Sequence, residues 1–414
     1  MIKILRSKIN GSITVPSSKS IMQRAIAISL LSNRKIILKN ISFCEDSNNS
    51  INVIKKFGKK IIIDENNIVI DGKIEGIPNE INCGESGLCV RMFTPIISLF
   101  SKKIKVNGKG SILKRPVGFF ESTLKELGVG FKCNNNFLPL EVKGPIKFNK
   151  CLVDGSISSQ FLTGLLIALP NKKNDTIVEV KNLKSKGYID MTLKIMKDFG
   201  VNILNENYKK FFINGNQKYK RDFYTIEGDW SSAAYFLVAG AISESIEVHG
   251  LNINSKQPDK NIINILKEVG ANVEVGNEVV KVKKNELRAF TYDSSDSPDL
   301  FPVLVVLAAF CEGKSIIYGV NRLLYKESNR AKVIFEEFSK IGIKINIDGN
   351  KMEVFKSEIK NGFINTHNDH RIAMAAAIAG INSNTNIILD NKECVNKSYK
   401  MFWDDYKKVG GKIE

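Results

Sequence analysis

The sequence predicts an α/β protein of two lobes, each built from three similar units packed around buried helices. Three observations favour this class: a repeat of about 70 residues, helices that are apolar on most faces, and short strands of alternating polarity. The chain has 414 residues, which is enough for two or three domains and more than one core.

The repeat is a helix-like run that ends in glycine and is followed by an alternating strand. Its glycines are separated by 70, 72, 70, 72 and 68 residues, and they are Gly58, Gly128, Gly200, Gly270, Gly342 and Gly410. Glycine can end a helix in the left-handed conformation without a Cβ clash. The alternation is clearest at 343–347, where Ile, Lys, Ile, Asn and Ile follow one another. Six copies at nearly constant spacing indicate a repeated architecture.

A second helix is predicted in each repeat. These helices are expected to begin near Ser20, Ser86, Ser158, Ser231, Asp299 and Asp369. Most of them are apolar on most faces, as in Phe161–Leu169 and Ala233–Ala241, which is typical of buried helices. Each unit is therefore predicted to run strand, buried helix, strand, outer helix, strands.

We expect the lobes to divide near Phe223–Gly228, between the third and fourth repeats. One lobe then comprises residues 18–226, and the other comprises residues 1–17 together with 227–414. The last repeat is short and lacks a strand, which Met1–Val15 could supply. This would make the second lobe discontinuous.

The amino-acid composition excludes only a few classes of function. The net charge of +18 fits an anionic partner, but the lysines are scattered, and a bias toward Ile, Lys and Asn codons explains most of the excess. The seven cysteines include no C-x-x-C pair, so neither a disulfide framework nor a zinc site is indicated, and a reducing cytoplasm fits. The apolar stretches near Phe301–Phe310 and Ile372–Ala379 are too short to span a bilayer.

Polar residues cluster where the predicted buried helices begin. Helix N-termini carry unpaired N–H groups and a partial positive charge, so they favour anions. Lys19, Ser20 and Arg24 suit phosphate or carboxylate oxygens, but a serine cap beside solvated cations is the alternative. The further candidates in the first three helices are Gly87, Arg91, Ser158, Ser159 and Gln160, with helix capping as the alternative for each start.

The other three helix starts carry carboxylates. Glu227–Asp229 is interpreted as mainly structural, with Asp229 as a cap. Asp299 is either a cap or a general base. Asp369, His370 and Arg371 precede an almost entirely apolar helix, which is costly unless they bind something or one another, although a satisfied lone histidine is the alternative. Between helices, Arg115, Lys326, Glu327, Arg330 and Lys397 are individually ordinary charged loop residues.

Taken together, these motifs resemble the EPSP synthase family. The matching segments occur in the family's order and span nearly the whole chain: Pro16–Ser20 with Arg24, Ser158–Thr163, Tyr188–Asp190, Glu227–Asp229, Lys326–Glu327 with Arg330, Asn368–Arg371, and Lys397. The resemblance implies two lobes of three βαβαββ units. It also implies transfer of the enolpyruvyl group of phosphoenolpyruvate to the 5-hydroxyl of shikimate 3-phosphate, in the pathway to chorismate.

The resemblance assigns a role to each matching position. It implies that Asp299 is the base, with Glu327 and Lys19 as acid partners. The implied shikimate 3-phosphate site is Lys19, Ser20, Arg24, Ser158, Ser159, Gln160, Ser185, Tyr188, Asp299, Arg322 and Lys326. The implied phosphoenolpyruvate site is Lys19, Gly87, Arg115, Gln160, Arg330, Arg371 and Lys397, and Arg91 and His370 are implied to line the cleft.

Some positions depart from the family pattern, namely Ser17, Glu85, Leu88 and Arg322. A sibling transferase acting on UDP-N-acetylglucosamine uses a loop cysteine, which the loop around Arg115 lacks. A basic nucleic-acid-binding repeat protein would need aromatic residues interleaved with its cations, and no such stripe is found. We therefore expect two small-molecule substrates, no cofactor or metal, no nucleic acid or membrane partner, and a cytoplasmic monomer.

Overall fold

The computed structural model describes residues 1–383 and 386–414. The chain divides into two compact units. We call residues 17–226 the continuous lobe, and residues 1–16 with 227–414 the discontinuous lobe. The class is mixed α/β, as predicted.

Twelve α-helices lie within the described residues. They are α1 (Lys19–Leu31), α2 (Glu45–Lys55), α3 (Gly87–Ile97), α4 (Glu121–Glu126), α5 (Gln160–Ala168), α6 (Lys186–Asp198), α7 (Trp230–Ile242), α8 (Ile262–Glu268), α9 (Phe301–Ala309), α10 (Arg330–Lys340), α11 (His370–Gly380) and α12 (Phe402–Lys408). Short 3-10 turns cover Gly110–Lys114, Gly118–Phe120, Leu169–Asn171, Pro258–Asn261, Val320–Arg322 and Glu393–Lys397.

The strands are short, of two to seven residues. In chain order they are β1 (Ile2–Leu5), β2 (Ser12–Thr14), β3 (Ile36–Lys39), β4 (Lys60–Asp64), β5 (Asn67–Asp71), β6 (Glu80–Asn82), β7 (Lys103–Asn107), β8 (Gly130–Asn134), β9 (Phe137–Lys143), β10 (Lys150–Asp154), β11 (Thr176–Lys181), β12 (Leu204–Glu206), β13 (Lys210–Ile213), β14 (Phe223–Thr225), β15 (Ser245–His249), β16 (Asn272–Val275), β17 (Val279–Lys283), β18 (Thr291–Asp293), β19 (Lys314–Tyr318), β20 (Lys344–Asp348), β21 (Lys351–Phe355), β22 (Gly362–Ile364), β23 (Ile387–Leu389) and β24 (Lys412–Ile413).

These strands form six four-stranded sheets, three in each lobe. The orders are β14-β3-β5-β4, β6-β7-β9-β8 and β10-β11-β13-β12 in the continuous lobe. In the discontinuous lobe they are β2-β15-β17-β16, β18-β19-β21-β20 and β22-β23-β1-β24. Each sheet has one parallel pair, such as β10 with β11, and two antiparallel pairs. The parallel pair needs a crossover helix, whereas the last two strands form a hairpin, which gives the βαβαββ unit.

The N-terminal strand completes the last sheet of the chain. Ile4 in β1 is paired with Ile387 on one side and Ile413 on the other, so β1 occupies the position that a hairpin strand holds in the other units. Similarly, β2 adds to the fourth unit through β15, and β14 adds to the first through β3. Each strand pairs within its own lobe.

Each lobe has three central helices that pack on one another: α1, α3 and α5 in the continuous lobe, and α7, α9 and α11 in the discontinuous lobe. In α9 every residue is buried, because its sequence is entirely apolar. The outer helices instead end at the six repeat glycines, whose φ angles lie between 73° and 98°. The left-handed stop inferred from the repeat is therefore confirmed. No helix of the described residues is long and apolar enough to cross a membrane.

Candidate active site

Lys19 is the first residue of α1 in the continuous lobe, and a carboxylate holds its ammonium. Its Nζ lies 3.1 Å from Oδ2 of Asp46, which is buried in the first turn of α2. Ser18 precedes the helix without a side-chain capping bond. At the start of α1, Lys19 is therefore held in an ion pair, and the alternative of a serine cap beside solvated cations does not describe it.

Arg24 lies one turn further along α1, with 1% of its surface exposed. Its Nη1 donates to the Ser20 carbonyl at 2.7 Å, and its Nε donates to the Thr192 hydroxyl at 2.8 Å. Thr192 in turn donates to the carbonyl of Tyr188 at 2.8 Å. Burial lowers the pKa of Arg24 to about 10, because removing the charged guanidinium from water costs free energy. Ser20, Arg24 and Tyr188 therefore form one connected cluster.

The start of α3 leaves room for a guanidinium. A Cβ added at Gly87 would lie 2.7 Å from Nη1 of Arg115, so Arg115 passes directly over the glycine. Ser86 caps the helix by accepting from the Cys89 amide at 3.3 Å. Glu85, one of the departures from the family pattern, accepts from the Ser111 hydroxyl at 3.0 Å and so steadies the loop that leads to Arg115.

The start of α5 is joined to α3 by a side-chain contact. Arg91 donates from Nη1 to Oε1 of Gln160 at 3.0 Å. Ser158 accepts from the Gln160 amide at 3.2 Å, and Ser159 is buried. Ser185 is also buried, before α6, with a φ of 57°. All the candidates of the continuous lobe thus lie at or within two turns of helix starts or in the loop over Gly87.

Arg330 joins the acidic residues of the discontinuous lobe. It is fully buried and donates to Asp369 at 2.9 and 3.1 Å, to Glu327 at 2.7 Å and to Asp299 at 3.2 Å. Ser328 also donates to Asp369, at 3.1 Å. Burial works against the charge of Arg330, but the surrounding carboxylates raise its pKa above the ordinary value.

Asp299 is surrounded by cations. It does not cap α9, whose cap position is Leu300. Its Oδ2 accepts from Arg371 at 2.9 Å, and its Oδ1 lies 3.7 Å from Nζ of Lys326. Burial alone would raise the pKa of this carboxyl, but Arg371, Lys326 and Arg330 hold it well below its usual range. Burial also lowers the pKa of Lys326 to about 8, although Asp299 opposes that shift.

The start of α11 is capped by Asp369, which accepts from the Arg371 amide at 3.0 Å. His370 is buried, with Nδ1 3.9 Å from Oδ1 of Asp369. Lys397 is buried in the 3-10 turn that packs against α11. Arg322 is partly buried, and burial lowers its pKa. Asp369 thus accepts from the Arg371 backbone amide and from Arg330, and it lies 3.9 Å from His370.

Sequence reasoning missed Asp46, Thr192 and Asp259. Asp46 and Thr192 hold Lys19 and Arg24, but they come from other helices. Asp259 is 1% exposed in the 3-10 turn at Pro258–Asn261. A proline followed by an aspartate is typical of a helix start. The sequence therefore offers no signal that separates Asp259 from a structural residue.

The fold is that of the enolpyruvyl transferases. The solved structure of EPSP synthase from Acinetobacter baumannii matches this chain with a TM-score of 0.82 and 23% identity, over 100% of this chain and 99% of that one. The enolpyruvyl transferase NikO from Streptomyces tendae matches with a TM-score of 0.80 and 15% identity, over 100% and 98%. At these identities the likeness establishes the fold.

Sequence comparison identifies the family within that class. The sequence model of EPSP synthase (3-phosphoshikimate 1-carboxyvinyltransferase) matches residues 5–406. The 3-phosphoshikimate 1-carboxyvinyltransferase of Clostridium novyi is 40% identical over 426 residues, covering 100% of this chain and 98% of that protein. That of Clostridioides difficile is 38% identical over 428 residues, with the same coverage. The chain belongs to the EPSP synthase family, and the family and activity implied by its motifs are confirmed.

Proposed function

We propose that the residues described above bind the two substrates of 3-phosphoshikimate 1-carboxyvinyl transfer and move its protons. The observation that carries the assignment is the cluster around Arg330, where Asp299 and Glu327, the two acid–base candidates, share one buried guanidinium. Removing these charged groups from water costs free energy, which favours a functional role for the cluster. Under this proposal, the proton acceptor and the proton donor contact the same cation.

Most of the groups assigned to the two substrates are of kinds that suit anions. The residues assigned to shikimate 3-phosphate are Ser20, Arg24, Ser158, Ser159, Gln160, Ser185, Tyr188, Asp299, Arg322 and Lys326. Lys19, Gly87, Arg115, Gln160, Arg330, Arg371 and Lys397 are assigned to phosphoenolpyruvate. Arg91 and His370 are assigned to the substrate surroundings. Guanidinium groups and helix N-termini are the usual partners of phosphate and carboxylate oxygens.

The reaction proceeds by addition and elimination. The 5-hydroxyl of shikimate 3-phosphate attacks C2 of phosphoenolpyruvate while Asp299 takes the hydroxyl proton. Glu327, Lys19 or both deliver a proton to the methylene carbon, which becomes a methyl group in a tetrahedral adduct. The deprotonated acid then takes back a methyl proton as the bond between C2 and the phosphate oxygen breaks, which restores the double bond and releases phosphate. Each acid–base group contributes about 10²–10⁴-fold, and the proton balance requires neither a redox partner nor an organic cofactor.

Asp299 is poised as an acceptor because it is ionised throughout the neutral range. Its three cationic neighbours also make it a weak base in the ligand-free protein. Substrate phosphate and carboxylate groups compete for the same cations, Arg371 and Lys326, and this competition raises the basicity of Asp299 when the substrates are bound. Asp299 thus becomes a stronger base when the substrate hydroxyl that it deprotonates is bound.

The test is phosphate release in a reaction that requires both substrates. We expect Lys19→Met and Asp299→Ala to abolish turnover, because each removes a proton-transfer group. Lys8→Met and Asp348→Ala are matched controls, since the side chains of Lys8 and Asp348 are 86% and 68% exposed. Near-normal turnover in either site variant would refute its assignment, and phosphate release with UDP-N-acetylglucosamine as acceptor would refute the acceptor.

We also propose that the protein works as a monomer in the cytoplasm on small molecules alone. All seven cysteines are free, and six of them are buried, which suits a reducing compartment. Light scattering of the purified protein at working concentration tests the monomer, and a stable dimer would contradict it.

A further inference from the structure

The motif Tyr188–Asp190 ends in an acid to which the proposed function gives no role. Asp190 is partly buried in α6, two residues after Tyr188. The phenol hydroxyl of Tyr208 donates to its carboxylate, with the hydroxyl oxygen 2.8 Å from Oδ1 and 2.9 Å from Oδ2. A hydrogen bond to an ionised acceptor is among the stronger kinds. This contact joins α6 to the turn between β12 and β13, where Tyr208 lies.

Tyr208 stands at a backbone position that an aromatic residue rarely occupies. The turn is closed by the amide of Lys209, which donates to the Glu206 carbonyl at 3.0 Å. Its two central residues, Asn207 and Tyr208, have left-handed φ angles of 52° and 59°. Asparagine and glycine suit such a turn, whereas a bulky side chain is strained there. Strain of this kind persists where the surroundings hold the residue, and the contact with Asp190 holds Tyr208.

The ring of Tyr208 makes a second contact with α6. Nζ of Lys186, the first residue of the helix, lies over the ring, 5.4 Å from its centroid. Lys186 and Asp190 are four residues apart and therefore share one face of the helix. The amide of Tyr208 donates to Oδ1 of Asn205 at 2.8 Å, which fixes the turn that carries the ring. One tyrosine thus contacts the first two turns of α6 on a single face.

The start of α6 lacks a side-chain cap. Ser185, the residue before the helix, makes no side-chain capping bond and has a φ of 57°. Thr192 holds α6 to α1, because it accepts from Nε of Arg24 at 2.8 Å. Positions two apart differ by about 200° around a helix, so Thr192 and Asp190 lie on opposite sides of α6. The beginning of α6 is therefore held from one side at Thr192 and from the other by Tyr208.

We propose that Tyr208 is a positioning residue for shikimate 3-phosphate, because it holds the start of α6, where Ser185 and Tyr188 are assigned to bind that substrate. The amide of Tyr188 donates to the Ser185 carbonyl at 3.1 Å, so the two residues are fixed together in the first turn. Loss of the Tyr208 hydroxyl releases one side of that turn and weakens the binding of this substrate alone. The proposal rests on the assignment of Ser185 and Tyr188 under the proposed function.

The test is the KM of each substrate in the phosphate-release assay. Tyr208→Phe removes the hydroxyl and keeps the ring that lies near Lys186. We expect KM for shikimate 3-phosphate to rise roughly threefold to tenfold, less than the full value of a hydrogen bond to a charged group, because α6 stays folded. KM for phosphoenolpyruvate and kcat should stay within about twofold of wild type, because the residues assigned to phosphoenolpyruvate lie outside α6.

Tyr219→Phe is the matched control in the same lobe. The Tyr219 hydroxyl donates to the Ile167 carbonyl at 2.8 Å, and its ring lies 6.5 Å from that of Phe199, at the other end of α6. We expect Tyr219→Phe to lower the melting temperature and to leave both KM values unchanged. Asp190→Asn keeps an oxygen that accepts from Tyr208, so it should retain the wild-type KM, whereas Asp190→Ala should match Tyr208→Phe.

An unchanged KM for shikimate 3-phosphate in Tyr208→Phe, or an equal rise in both KM values, would overturn the proposal, because a purely structural contact favours neither substrate. If Tyr208→Phe does not fold, Asp190→Ala takes its place with the same two readings. Ser185→Ala tests the wider assignment in the same assay. If Ser185→Ala retains the wild-type KM, the assignment of Ser185 to this substrate is wrong; if it raises KM and Tyr208→Phe does not, only the positioning role fails.

Discussion

Replacing Arg330 by methionine tests the buried ion cluster most directly. The change keeps an apolar side chain of similar length and removes only the guanidinium. Four hydrogen bonds to Asp369, Glu327 and Asp299 are lost. Asp369 is fully buried, so its carboxylate loses the guanidinium that compensates its charge.

The expected loss of stability follows from this geometry. Removing one partner of a buried ion pair costs about 3–5 kcal/mol, because the remaining charge is uncompensated. The sign of its pH dependence is also fixed. Arg330 helps to hold the pKa of Asp299 low, so its contribution is fully present above the pKa of about 4 that an unfolded aspartate has, and is lost as the pH falls further. The deficit of the variant should therefore be largest near neutrality and shrink in acid.

The assay is urea unfolding followed by tryptophan fluorescence. Both tryptophans of the chain, Trp230 and Trp403, lie in the discontinuous lobe, so the signal follows the lobe that carries the substitution. Lys332→Met, two residues further along α10, is the matched control, because its ion pair with Glu336 is exposed on both sides and worth about 0–1 kcal/mol. Equal losses in the two variants would refute the argument.

Two further substitutions test substrate binding. Gly87→Ala must displace Arg115, so KM for phosphoenolpyruvate should rise roughly tenfold or more, which is the value of a charge-assisted hydrogen bond. Gly76→Ala is the control and should leave this KM unchanged, because the space around its Cβ is open. An unchanged KM in Gly87→Ala would contradict the assignment of Arg115. Lys326 loses its positive charge as the pH rises through about 8, so KM for shikimate 3-phosphate should increase above that pH in the wild type and stay flat in Lys326→Arg. Parallel profiles would exclude Lys326 from binding.

The repeat could be predicted from sequence because its signals are local. A glycine that ends a helix is needed wherever that helix stops, so Gly58 and its five counterparts mark the units. The buried helices begin within two residues of the expected positions, as at Lys19 for Ser20 and Phe301 for Asp299, because apolar runs have clear ends. The fold class follows from these two patterns.

The partners of the site residues could not be predicted in the same way. Lys19 is held by Asp46, 27 residues away, and Arg24 by Thr192, 168 residues away. No local pattern records such a pairing, since each partner alone has the appearance of a helix-cap or mid-helix polar residue. The family motifs located the candidates, but only the packed helices show which charges share a partner.

Burial distinguishes most cations of the proposed site from the many solvated cations of the chain. The net charge of +18 comes mostly from exposed lysines, whereas the buried cations include Arg24, Arg91, Arg115, Arg330, Arg371 and Lys397, all proposed site residues. Lys59 shows that burial alone is insufficient: it is buried too, but it donates to the Ser32 and Gly72 carbonyls at 2.6 and 2.7 Å, and burial lowers its pKa to about 8. Two backbone carbonyls fix Lys59 in a structural role, whereas Lys19, Arg330 and Arg371 of the proposed site stand at helix starts, where anions bind.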